Sequence, residues 1–140
     1  MGFLIDTCIW VEIEQGHLAP ADVAAITADA PVFLSPITVA ELKFGAESAS
    51  SGEVKQKRLA AVHRLRRKPV VRIDETTGEI FGGLAAQIRA AGRNHRYRVN
   101  DLWLASQAIQ HGYRLLTLNG KDFEDVPGLD LVVLPRPSRV

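Results

Sequence analysis

The sequence predicts an α/β fold, a three-layer α/β/α sandwich on a parallel sheet of about five strands. Two patterns carry that prediction. Short runs that are apolar at every position alternate with longer segments of helical period, and a strand covered on both faces reads as a continuous apolar run. The repeated order strand, helix, strand requires crossover connections, which give parallel pairing. At 140 residues, 46% hydrophobic and 24% charged, the chain reads as one domain over residues 1–140 with enough surface to bury for a core.

Phe3 to Ile5 is the first strand, followed by a helix through Ile9, Trp10, Val11 and Ile13. Pro20 opens a short alanine-rich helix, and Pro31 ends it before a second strand at Val32 to Leu34. A third helix runs from Ile37 to Gly45, with the glycine as its stop, and Ala46 to Gly52 is a loop. Val54 to Lys68 is a charged helix closed by Pro69, and Val70 to Ile73 is a third strand. Thr76 and Glu79 have capping-box spacing and open a long helix through Ile80, Leu84 and Ile88. Gly92 to Arg98 is a basic loop. A helix through Leu102, Ala105 and Ile109 ends near Gly112. Leu115 to Leu118 and Leu131 to Leu134 are the fourth and fifth strands, and a tail begins at Pro135.

The net charge of +1 does not announce a polyanion partner. Cys8 is the single cysteine, so no internal disulfide forms and a reducing cytoplasm fits. Asp6 interrupts the first apolar run before a signal peptide develops, and no apolar run approaches the roughly 20 residues of a membrane span.

Four carboxylates sit where an apolar strand meets a turn or a helix start: Asp6, Glu41, Asp101 and Asp122. Each has a local role open to it. Asp6 suits an N-cap, Thr38 and Glu41 have capping-box spacing, Asp101 follows Asn100 as a first-turn acid, and Asp122 suits an Asx turn. Together they say more. Strand-to-helix junctions of an open parallel sheet gather at its carboxyl edge, where ligands bind. Four acids there repel one another unless a hard divalent cation neutralises them, so metal-assisted hydrolysis leads. His17, His63, His95 and His111 lack zinc-ligand spacing.

The segments Leu4 to Thr7, Ile37 to Gly45, Asn100 to Ala105 and Leu116 to Phe123, with Val126 to Leu129 leading into the last strand, resemble in order the PIN-domain ribonucleases. The VapC-type toxins of bacterial toxin–antitoxin pairs are the most similar group. This resemblance implies a Mg2+- or Mn2+-dependent endoribonuclease toxin that cleaves single-stranded or loop RNA and is neutralised by a VapB-like antitoxin. It implies that Asp6, Glu41, Asp101 and Asp122 form the catalytic set and that Asp6 and Asp101 are the direct metal ligands. By the same resemblance Thr7 and Asn119 support the acids, and the protein pairs as a homodimer. Two positions depart from the family pattern: Cys8 replaces a common Asn, and Leu118 replaces a polar or basic residue.

Substrate phosphates need cations, and two basic runs offer them. Arg93, Arg96 and Arg98 lead straight into Asn100 and Asp101 and are the expected RNA contacts; Arg64, Arg66, Arg67 and Lys68 form a second run. The alternatives are a non-catalytic metal-binding interaction module and an aspartate-based phosphatase. The phosphatase needs a second acid two residues after Asp6, where Cys8 stands.

Overall fold

The computed structural model describes residues 1–136. Within them, strands β1 (Phe3–Ile5), β2 (Val32–Phe33), β3 (Arg114–Thr117) and β4 (Leu131–Val133) form one parallel sheet in the order β2-β1-β3-β4. The helices are α1 (Thr7–Glu14), α2 (Pro20–Thr27), α3 (Pro36–Glu47), α4 (Gly52–Leu65), α5 (Glu75–Ala90) and α6 (Val99–His111).

The strands' side chains divide with period two. Leu4 and Leu115 enter one core with Leu84 and Ile88 of α5 and Leu102 and Ala105 of α6. Phe3, Ile5, Leu116 and Leu118 enter the other with Ile9 of α1, Leu18 and Val23 of α2. Both faces of the sheet are therefore covered, which gives the expected three layers and explains why the strands read as unbroken apolar runs.

One expected strand is reduced to a bridge. Val70 pairs with Leu34 alone, through Leu34 N to Pro69 O and Val71 N to Leu34 O, each 2.9 Å. Only Val71 of that run turns into the core; Val70 and Ile73 are exposed, and Asp74 already caps α5. A run with one buried side chain has little to hold it extended against the sheet, so four strands remain.

Helix boundaries differ from expectation for physical reasons. α3 continues past Gly45 to Glu47, because Gly45 keeps negative φ; Gly112, at φ 68°, does end α6. Helix α5 is capped two residues early, since Asp74 and Thr77 form the reciprocal cap instead of Thr76 and Glu79. Ser35, followed by Pro36, caps α3 through Ile37 N at 3.1 Å, which releases Thr38 and Glu41 from capping. α6 begins at Val99 out of a short 3₁₀ helix over His95–Arg98, so Asn100 lies inside the first turn rather than at the cap.

A buried polar tie sets α3 and α6 in register. Ser35 Oγ donates to Gln107 Oε1 at 2.5 Å, and Gln107 Nε2 donates to Val71 O at 2.7 Å. Both side chains are fully buried. The strand order reverses between β1 and β3, and that switch point opens the crevice where ligands bind in such sheets.

Candidate active site

Asp6 follows the last residue of β1 and caps α1, with its Oδ1 accepting from Thr7 N at 2.8 Å. Its other oxygen accepts from Thr117 Oγ1 at 2.8 Å, at the end of β3, and from the Cys8 thiol at 3.3 Å. The register places Ile5 beside Leu116, so the two strand ends present Asp6 and Thr117 together. Capping and site roles thus coincide in one carboxylate. Burial raises its pKa, the Thr117, Cys8 and Thr7 hydrogen bonds oppose the rise, and the charge of Asp122 adds to it.

Glu41 arrives from the middle of α3. Thr7 Oγ1 donates to its Oε1 at 2.8 Å and lies 3.0 Å from the hydroxyl of the fully buried Thr38. Asp101, in the first turn of α6, is pushed up to about 7, first by burial and then by the charges of Asp6, Asp122 and Glu41; Arg98 opposes them. Asp122 projects from a short 3₁₀ turn, Gly120–Asp122. Gly120 is fixed there by space, because a Cβ would stand 2.8 Å from Val133 Cγ2. The chain thus brings Asp6, Glu41, Asp101 and Asp122 from four separate elements into mutual electrostatic reach.

Asn119 takes a supporting place of a particular kind. Its backbone N–H donates to Thr117 Oγ1 at 3.0 Å, while its side-chain oxygen accepts from Arg136. Of the arginines expected at RNA, Arg96 lines an open polar depression with Glu41, Asn100 and Asp101. Arg98 lines the same depression while its guanidinium is engaged in ion pairing. It grips Asp125 with two bonds of 2.7 Å, also donates to Asp122 O, and is 19% exposed. Arg93 joins Asp125 at 2.6 Å but is 60% exposed. The Arg98 pair drives Asp125 down to about 2.

Three contributors were missed in the sequence. Thr117 is the one polar residue in the run Leu115 to Leu118, which is a usable clue. Thr38 is hidden by its resemblance to a capping residue. Asp125 lies in a loop 27 positions from Arg98. Cys8 is no nucleophile: burial and the Asp6 charge push its thiol up to about 12. A thiol at that position does not replace the acid a phosphatase of this type needs.

The donors suit a hard divalent cation, since all four are carboxylates and the repulsion at Asp101 is what such an ion relieves. Among the described residues no three His, Cys, Asp or Glu side chains stand close enough to enclose a metal by themselves. Magnesium is commonly held by one or two carboxylates and keeps its waters, so Asp6 and Asp101 fit it better than they would fit zinc.

Beside the acids, a groove runs between α1, α3 and α4. It is lined by Trp10, Val11, Glu41, Leu42, Ala61 and Leu65, among others. Phe44, on α3, is 74% exposed.

The geometry has counterparts in known proteins. The PIN domain family profile matches residues 3–129. Ribonuclease VapC1 of Rickettsia felis is 30% identical over 139 residues, covering 96% of this chain and 97% of that protein. Ribonuclease VapC4 of Mycobacterium tuberculosis is 29% identical over 131 residues, covering 94% and 95%. VapBC2 of Rickettsia felis, solved bound to a DNA fragment from its promoter, contains a chain that superposes with a TM-score of 0.78. That chain is 26% identical, with 95% of this chain and 98% of that one covered. VapBC of Salmonella typhimurium, also DNA-bound, gives 0.81 at 22% identity over 96% and 98%, a likeness of fold. By sequence over nearly its full length and by architecture, the chain belongs to the PIN-domain family, in its VapC branch.

Proposed function

We propose that residues 1–140 act as one metal-dependent endoribonuclease unit, a toxin neutralised by a VapB-like antitoxin. The observation that supports it most is the meeting of Asp6, Glu41, Asp101 and Asp122 at the crevice of the sheet, a donor set for Mg2+ or Mn2+. The cation, when bound, supplies charge neutralisation at the scissile phosphate and a water of lowered pKa. Asp6 and Asp101 are the residues that would hold it, and Glu41, fixed by Thr7, and Asp122, fixed by Arg98 through its loop, would add negative charge beside it. Thr117 and Thr7 N fix Asp6, so its oxygens keep one direction as substrate enters. No side-chain nucleophile is needed. Arg96 and Arg98, which line the depression beside Asp101, and the exposed Arg93 meet the backbone of a single-stranded or looped RNA.

The groove beside Glu41 suits an antitoxin segment that sends an Arg or Lys toward the acids, displacing the cation and shutting out RNA. A homodimer in the cytoplasm completes the reading, with exposed apolar side chains such as Phe44 available for contact. Light scattering that finds a monomer at micromolar concentration overturns the dimer. For the activity, 5′-end sequencing of RNA is compared after expression of the wild type and of Asp6→Asn. New ends appear with the wild type alone, and purified protein loses cleavage in chelator and regains it with Mg2+. Equal cleavage by Asp6→Asn, or cleavage in chelator, overturns the reading.

A further inference from the structure

The groove does not stop at the apolar patch beside Glu41. A second depression, between α1 and α4, shares Trp10, Glu14, Ala61 and Leu65 with the first, so the two form one continuous channel. Its far part is walled by Lys57, Arg64 and Lys68. Lys57, Ala61 and Arg64 recur at helical spacing on one stripe of α4, and Lys68 follows in the turn after the helix. Lys68 Nζ stands 5.6 Å from the centre of the Trp10 ring, at the junction of the two parts. None of the three cations takes part in an ion pair among the described residues. Glu14 is the one acid lining this part, against three bases.

The channel's charge therefore differs along its length. The near part has Glu41 at the end that opens toward the acidic crevice and Arg58, tied to Gly45 O at 3.1 Å, on its wall; an apolar floor of Trp10, Ala61 and Leu65 follows, and the far part carries three bases against Glu14. We propose that this basic end receives an acidic stretch of the antitoxin, so that the bound segment reads cation, apolar anchors, anions along the channel. This rests on the antitoxin reading and extends it. Opposite charges at the two ends fix both direction and register: a segment laid in backwards meets like charge at each end. The basic run that closes α4 is then a partner-recognition surface and not a second RNA path.

Two fluorescent peptides test the polarity on the full-length protein. Both carry an Arg at one end and a central Leu-rich block; one ends in Glu residues, the other in Gln at the same positions. Fluorescence anisotropy at low salt is expected to show the Glu peptide binding about fivefold tighter or better, with the preference fading as salt rises. Lys57→Glu combined with Arg64→Glu abolishes or inverts the preference and leaves RNA cleavage unchanged. Equal binding of the two peptides overturns the proposal, as does absence of binding by either. It is also overturned if the double variant loses RNA affinity while keeping the peptide preference, since the stripe then serves RNA. The underlying reading fails separately: a wild type that cleaves no RNA sinks the nuclease, and a Glu peptide that binds without slowing cleavage sinks neutralisation through the channel.

Discussion

At the scale of single residues, the first acid depends on its neighbours' hydroxyls. Thr117 Oγ1 both donates to Asp6 and accepts from Asn119 N, so it joins the end of β1 to the turn that leads to Asp122. Thr117→Val keeps the shape, leaves Asn119 N without its partner and leaves that Asp6 oxygen only the weak Cys8 thiol bond, at a cost of about 1–3 kcal/mol. Thermal unfolding is expected to show that loss, cleavage to fall with it, and Thr117→Ser to restore both. Arg98 and Asp125 act on the other side of the site. With its carboxyl moved from 3.8 to about 2, Asp125 stabilises the fold fully above about pH 4 and loses that contribution as pH falls toward about 2. Asp125→Asn should lower stability at neutral pH by about 1–2 kcal/mol and flatten the acid-unfolding curve in that window. Arg98→Ala should loosen Asp122 and reduce cleavage, with Arg98→Lys recovering part, because one ammonium cannot make the two-pronged contact. Asp6 and Asp122 were legible because each follows an apolar strand, whereas Glu41, in the middle of α3, and Asp101, behind a basic 3₁₀ turn and not a strand, were legible only through the family resemblance. The grip of Arg98 on Asp125 was not, because nothing in a basic run marks which member also meets a carboxylate 27 positions away.

Elements place the acids, and their caps decide how. Ser35 and Pro36 start α3 early enough for Thr38 to sink into the interior and Glu41 to face Thr7. The Ser35, Gln107 and Val71 tie then fixes the helix bearing Glu41 against the helix bearing Asp101. Gln107→Leu fills the same volume but strands a buried hydroxyl and a buried carbonyl. A loss of about 2–3 kcal/mol in chemical denaturation is expected, and cleavage should fall further than stability alone requires. Element type and order were readable from apolar runs and helical spacing. Caps were read two to three residues late, since Thr, Asp and Ser candidates stand close together and only tertiary packing chooses among them. Val70 to Ile73 shows the opposite limit: a β-prone run becomes a bridge where it has one core-facing side chain and exposed neighbours.

For the whole molecule, the architecture concentrates like charge where the sheet offers a crevice, so repulsion among the acids works against the fold. Asp101→Asn should therefore raise the melting temperature in chelator by about 3 °C or more while abolishing cleavage. A variant that melts lower and still cuts RNA contradicts the placement of Asp101 in the cluster. The three-layer plan itself was legible in the unbroken apolar strands, whereas the lateral order of strands was not, since every parallel neighbour looks alike along the chain. That order has a consequence for synthesis. β1 has β3 as its partner on the crevice side, and Phe3 to Ile5 pair there with residues 114 to 116. On a ribosome the first acid is made at once and waits for nearly the entire chain before its cradle arrives. Nascent chains halted before Arg114 are expected to be harmless to RNA, however many accumulate. Restoring β3 and the Asp122 turn should switch activity on abruptly.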